Sequence, residues 1–216
     1  MRRNPIRWAV LLVAVALLAT LVYLRQHPSG AAGQARGPVP AELQAILWPE
    51  AHPVAAFHLR TQRGESFGAG QFRGQWNFVF FGYLSCPDIC PTTLQTLSVF
   101  RRRLLASDPG AGRYRFVFVS VDPANDDAEH MAAYLAYFDR DFIGLVGEPD
   151  ELARLARSMG AGYASHVDEK GVRSIEHSTA VLLVDPAGQV VGGLPAPHDP
   201  ERMLVSFNGL RRYLGR

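Results

Sequence analysis

The segment Trp76–Tyr83 reads WNFVFFGY, a run in which Asn77 alone is strongly polar. A strand with one wet face alternates apolar and polar residues. A run that does not alternate has to be covered on both faces. That demand calls for a central strand between packed layers, and the chain downstream supplies helices to build them. Pro91–Ala106 carries Leu94, Leu97, Phe100, Leu104 and Leu105 at helical spacing, with Arg101-Arg102-Arg103 read as a solvated face. Arg115–Val121 (RFVFVSV) repeats the buried-strand pattern. Asp126–Phe138 reads as a helix whose acidic start suits the helix dipole, Phe142–Val146 as a short strand, and Pro149–Met159 as a helix stopped by Gly160. Ala180–Val184 and Val190–Leu194 flank Asp185-Pro186-Ala187-Gly188, a turn signal for an antiparallel hairpin. A smaller hairpin is expected from Val54–Leu59 and Glu65–Phe67 around Gln62-Arg63-Gly64, and Asp199–Tyr213 closes the chain as a helix.

Strand–helix–strand–helix, then strand–helix, hairpin and helix implies an α/β domain with a mixed sheet and helices on both faces. A thioredoxin-like fold fits that order, although the order alone admits other α/β folds. The 216 residues carry a formal charge of +2, and Arg2, Arg3, Arg7 and Arg25 meet no acid within residues 1–25. The rest of the chain therefore holds 18 basic against 20 acidic residues, a net −2. Such a balance gives little reason to expect a basic face for nucleic acid, so no nucleic-acid partner is expected.

The basic end frames a second feature. Trp8–Leu24 (WAVLLVAVALLATLVYL) is free of charge and as a helix spans about 26 Å, enough for a bilayer core. Three arginines precede it, so the positive-inside bias leaves the terminus in the cytoplasm and exports the chain beyond residue 25. A cleaved signal peptide is the competing reading, with Ser29-Gly30-Ala31 as its small-residue site. The length of the run favours an uncleaved transmembrane anchor. Residues 1–25 are thus read as a membrane anchor, 26–40 (rich in Gly and Pro) as a flexible linker, and 41–216 as the folded domain. The expected place is a bacterial inner membrane, single-pass, with the domain on the periplasmic side.

Chemistry concentrates where the first buried strand hands over to a helix, in Cys86-Pro87-Asp88-Ile89-Cys90-Pro91. These are the chain's only two cysteines. Pro91 suits a first helical turn, which puts Cys90 near the helix start, where the dipole is expected to lower the thiol pKa. A plain structural disulfide is the bland alternative. Its five-residue loop is worth about 2 kcal/mol, against about 3 for a loop of fifteen, so a stabilising staple would be better placed elsewhere. Two thiolates select soft metals, which usually take a third ligand. Seven histidines are available: His27, His52, His58, His130, His166, His177 and His198. His177, in Glu176-His177-Ser178-Thr179, lies in the loop just before the strand Ala180–Val184, and a thioredoxin-like sheet places that loop against the cysteine helix.

The Cys-Pro-x-x-Cys-Pro segment, Val121-Asp122-Pro123 and the late His177 together resemble the Sco/SenC family. These are membrane-anchored, thioredoxin-fold copper proteins that help assemble the CuA centre of cytochrome c oxidase. The resemblance covers about residues 41–213 and the anchor. It implies that Cys86, Cys90 and His177 ligate copper, as Cu(I) or Cu(II). It also implies that Cys86 and Cys90 form a redox-active disulfide, and that the acceptor is cytochrome c oxidase subunit II. It leaves the copper donor unnamed. Two positions depart from the family pattern: Glu176 stands where Asp often precedes the histidine, and Asn125-Asp126 where Arg-Asp usually follows Val-Asp-Pro. Asp122 and Asp126 are expected to cap or position the following helix.

A metallochaperone need not be an enzyme, because handing over a metal requires little bond-making. The alternative is a thiol–disulfide oxidoreductase that keeps the acceptor cysteines reduced. Thioredoxin-like reductases usually carry a cis-proline before the penultimate strand, and this chain has Glu176-His177-Ser178-Thr179 there. A peroxidase or redox sensor on the same fold has no distinctive motif in its favour.

Overall fold

The computed structural model describes residues 38–109, 114–167 and 173–215. Its main sheet is built from β1 (Leu47–Pro53), β2 (Leu59–Thr61), β3 (Ser66–Phe67), β4 (Trp76–Gly82), β5 (Tyr114–Ser120), β6 (Ile143–Val146), β9 (Val181–Val184) and β10 (Gln189–Leu194). Between β6 and β9 the chain makes a separate antiparallel pair, β7 (Tyr163–Val167) with β8 (Arg173–His177). Among the described residues four α-helices complete the fold: α1 (Ile89–Ser107), α2 (Ala128–Phe138), α3 (Pro149–Ser158) and α4 (Pro200–Leu214). The unit holding all of them runs Pro40–Arg216.

The strand order is β1-β10-β9-β4-β5-β6-β2-β3. β4, β5 and β6 are parallel, joined by crossovers through α1 and α2, and the remaining pairs are antiparallel. The sheet is therefore mixed, as the element order implies. All seven residues of β4 are buried, which is why WNFVFFG contains no alternation. Phe78 stacks on Phe116 (4.6 Å between centroids) and meets Phe100 of α1 and Phe207 of α4 edge-on at 5.1 and 4.8 Å. α1 and α4 thus close one face over the sheet centre. α2 lies over β6, where a Cβ at Gly144 would strike Met131 and Leu135. On the other face Val79, Phe81, Val117 and Val119 are equally buried, and α3 adds Leu152, Leu155 and Ala156 to the core.

Four expectations need correction. Residues 54–58 are not strand, so the small hairpin is only β2 with β3. β1 and the β7–β8 pair come in addition to the expected strands. β1 reads LWPEAHP, whose two prolines and mostly exposed pattern are tolerated because it lies at the sheet edge. β7 and β8 read YASHV and RSIEH, too polar to announce strands, and are held by pairing with each other. His177 is consequently the last residue of a strand rather than part of a loop. The cap of α2 is neither Asp122 nor Asp126 but Asp127, which accepts the His130 backbone N–H at 2.8 Å. The expected anchor and nearly all of the linker lie outside the described residues. Among the described residues no helix is long and apolar enough to cross a membrane.

Candidate metal centre

Two elements bring the sulfurs together. Gly82 ends β4, and the chain turns through Tyr83–Asp88, with the Cys86 N–H donating to the Tyr83 carbonyl at 3.3 Å. α1 then begins at Ile89, which makes Cys90 its second residue and Pro91 its third. Pro91 costs no hydrogen bond there, because the first-turn N–H groups have no helical partner anyway. The Cys90 N–H points at Cys86 Sγ, 3.4 Å away, and both cysteines are free. Cys90 is fully buried and Cys86 is 9% exposed.

The third member arrives from the β7–β8 pair. The register Tyr163↔His177 places the imidazole at its base, with Nε2 3.5 Å from Cys90 Sγ. Nδ1 lies 3.1 Å from the Ser178 carbonyl. That oxygen can only accept, so Nδ1 carries the ring proton and Nε2 keeps its lone pair toward the sulfurs. Burial, opposed only by that backbone hydrogen bond, holds the imidazole below the usual histidine range, so the ring is neutral at pH 7. Phe80 and Tyr83 stand edge-on to it at 5.8 and 6.0 Å.

Cys86 Sγ, Cys90 Sγ and His177 Nε2 all lie within 4.8 Å of one another, and they form the one such cluster among the described residues. An ion bonded at about 2.0–2.3 Å to three donors in a plane separates them by roughly 3.5–4 Å. The Cys90–His177 edge already fits, and the rest needs only a small closure. Two sulfurs and one imidazole nitrogen suit a soft cation such as Cu(I).

The expectation of a lowered thiol pKa at Cys90 is reversed. Burial pushes it well above the ordinary cysteine value, overriding a backbone hydrogen bond from Tyr83, and the neighbouring Cys86 and Asp126 push the same way. A half-charge at a helix terminus is outweighed by desolvation of a fully buried sulfur. The thiolate therefore needs a cation to displace its proton, which is what metal coordination supplies.

The other described histidines lie outside this cluster. His52 stacks on Trp48, His130 pairs with Asp127, and His198 lies 3.2 Å from the Leu194 carbonyl. The His58 backbone N–H donates to Glu151, and His27 lies outside the described residues. Glu176 does not steer the His177 ring. Its side chain is 82% exposed and faces His166 at 3.5 Å.

Asp126 has a use that its position in the sequence did not suggest. Its carboxylate, 6% exposed, accepts from Ser120 Oγ at 2.6 Å and from the Leu84 N–H at 3.1 Å. It thereby ties the cysteine turn to the end of β5. Burial raises its pKa in spite of those donors. Reading the chain flagged Asp126 as a residue to cap or position the next helix, with no sign that it points inward to the cysteine turn.

In comparisons with known proteins, the SCO1/SenC family model matches residues 49–211. A protein of Stutzerimonas stutzeri, named a candidate copper-binding protein, is 31% identical over 213 residues, covering 98% of this chain and 94% of its own. Human protein SCO2 homolog, mitochondrial, is 39% identical over 133 residues; the match spans 61% of this chain and half of that longer protein. Among solved structures, Arabidopsis thaliana ScoI with copper bound superposes with a TM-score of 0.68 at 28% identity, covering 74% of this chain and 98% of that one.

Proposed function

The chain belongs to the SCO1/SenC family, and on that premise we propose that it is a copper metallochaperone. It holds the ion through Cys86 Sγ, Cys90 Sγ and His177 Nε2 and delivers it to the CuA centre on subunit II during assembly of cytochrome c oxidase. The observation that carries this reading is the convergence of those three donor atoms within 4.8 Å. Delivery is ligand exchange. An acceptor thiolate enters as one protein sulfur leaves and takes up a proton, with no change in copper oxidation state. Cys86, the more exposed of the two sulfurs, is the one to leave first. In the same proposal the charge-free run Trp8–Leu24 anchors the chain in a bacterial inner membrane, with residues 41–216 on the periplasmic side as the working domain.

A second reading has an observation of its own. Both cysteines are free, and the Cys90 N–H sits on Cys86 Sγ, so a modest side-chain rotation closes a disulfide. Two acceptor cysteines joined as a disulfide would then be reduced as Cys86 and Cys90 are oxidised, two electrons and two protons passing between the pairs.

The test is stoichiometry. The reduced chain is expected to bind one copper ion, and the chain oxidised to the Cys86–Cys90 disulfide to bind almost none, since the disulfide removes both sulfur donors together. Equal copper retention by the two forms, measured by metal analysis after gel filtration, contradicts the proposed site.

A further inference from the structure

We propose that Gly82 is a positioning residue for the copper site: its bare Cα is the floor on which the Cys90 sulfur rests, and any side chain there displaces that sulfur from the other two donors. The inference rests on the copper reading above for its consequence, but its geometry stands by itself. A Cβ built on Gly82 lies 2.7 Å from Cys90 Sγ and 2.8 Å from Phe118 Cε2. Both contacts are far inside van der Waals distance, and neither neighbour can step aside cheaply. The sulfur has a single torsion, is fully buried, and sits near the start of a 19-residue helix. The Phe118 ring is buried at the sheet centre between Phe80 (6.1 Å) and Tyr134 (6.2 Å).

The backbone at Gly82 cannot retreat either. It is in register with Ser120 of β5, and its carbonyl accepts the Val121 N–H at 2.8 Å. A methyl group at position 82 is therefore trapped between a strand that is pinned and a sulfur with one way out. That way leads off the glycine and changes the distance to His177 Nε2, now 3.5 Å. No left-handed backbone conformation is involved, since Gly82 is not among the positive-φ glycines. Glycine is required here for close approach alone. The same contact closes the space beneath Cys90, so an ion can bind its sulfur only from the side that Cys86 and His177 face.

The experiment compares Gly82→Ala with Gly70→Ala, whose added Cβ meets nothing within 4 Å. In Gly82→Ala, Cu(I) affinity should fall about tenfold or more, as when groups supporting a metal ligand are changed. The Cu(II) thiolate charge-transfer band should shift. Gly70→Ala should bind and absorb like the unaltered chain. A Gly82→Ala chain with unaltered affinity and spectrum overturns the proposal.

Because Gly82→Ala risks misfolding, a double-variant cycle is run in parallel on the metal-free reduced protein. The loss of stability on Gly82→Ala should be clearly smaller in a Cys90→Ala background, where the sulfur it strikes is gone. An equal loss in both backgrounds overturns the proposal, with or without copper. If the unaltered chain binds no copper, the copper reading fails, and the cycle still decides whether Gly82 sets the sulfur.

Discussion

A His177→Ala chain should lose copper affinity by about 100-fold or more, a larger loss than changes outside the ligand set produce, while its Cys86–Cys90 disulfide still forms and breaks at close to the original rate. The imidazole contributes Nε2 to the cluster and lies 3.5 Å from one sulfur, but it bonds to neither in the disulfide. Cys86→Ser or Cys90→Ser should abolish both properties, because each removes a donor and a disulfide partner at once. The three variants therefore separate the two readings in cells. If copper delivery is the function, His177→Ala impairs oxidase activity nearly as severely as the cysteine changes, with partial rescue by added copper. If acceptor reduction is the function, only the cysteine changes matter. Oxidase activity measured in the three strains, with chain levels matched, gives the answer. A fully active His177→Ala strain promotes the reductase.

The second large effect concerns the support of the site. Phe78→Ala should destabilise the domain by about 3–5 kcal/mol, the range for an aromatic ring removed from a core. Phe78 is fully buried, and its ring is shared among β5, α1 and α4 through Phe116, Phe100 and Phe207. Collapse around the vacancy is resisted on three sides, so the cost should fall in the upper part of that range. Denaturant unfolding of the reduced, metal-free chain measures it. A loss below about 1.5 kcal/mol, the size of a conservative core swap, would show that this aromatic cluster does not hold α1 over the sheet.

The same cluster explains which parts of the fold could be read directly from the residues. β4, β5 and α1 announce themselves because their sequences answer to burial that is local and strong: WNFVFFG has no wet face, and Leu94, Leu97, Phe100 and Leu104 line one side of a helix. β1 and the β7–β8 pair are different. Their strand character comes from partners distant in the chain, such as Leu47 with Gly192 and Tyr163 with His177, and their own residues are polar or proline-rich. Cys86 and Cys90 were legible as candidate donors because they carry the chemistry in their side chains, whereas His177 was singled out from seven histidines by the family resemblance. Their setting was not. A helix start is visible in the sequence and suggests an acidified thiol at Cys90. The burial that raises it instead arises from tertiary packing, with the sulfur set against Gly82, which no local pattern encodes. Likewise Glu176 stands beside His177 in sequence but faces His166, while the carbonyl that orients the ring belongs to Ser178, a backbone role that residue type does not disclose.

One ion held by two sulfurs and one imidazole is the core of this reading, and X-ray absorption at the copper edge of the reduced, Cu(I)-loaded chain is its sharpest test. The expected spectrum contains two sulfur scatterers at about 2.2–2.3 Å and one imidazole nitrogen at about 2.0 Å, with one sulfur lost in Cys86→Ser and the imidazole signature lost in His177→Ala. A first shell of oxygen and nitrogen alone, or a sulfur count that Cys86→Ser leaves unchanged, contradicts it.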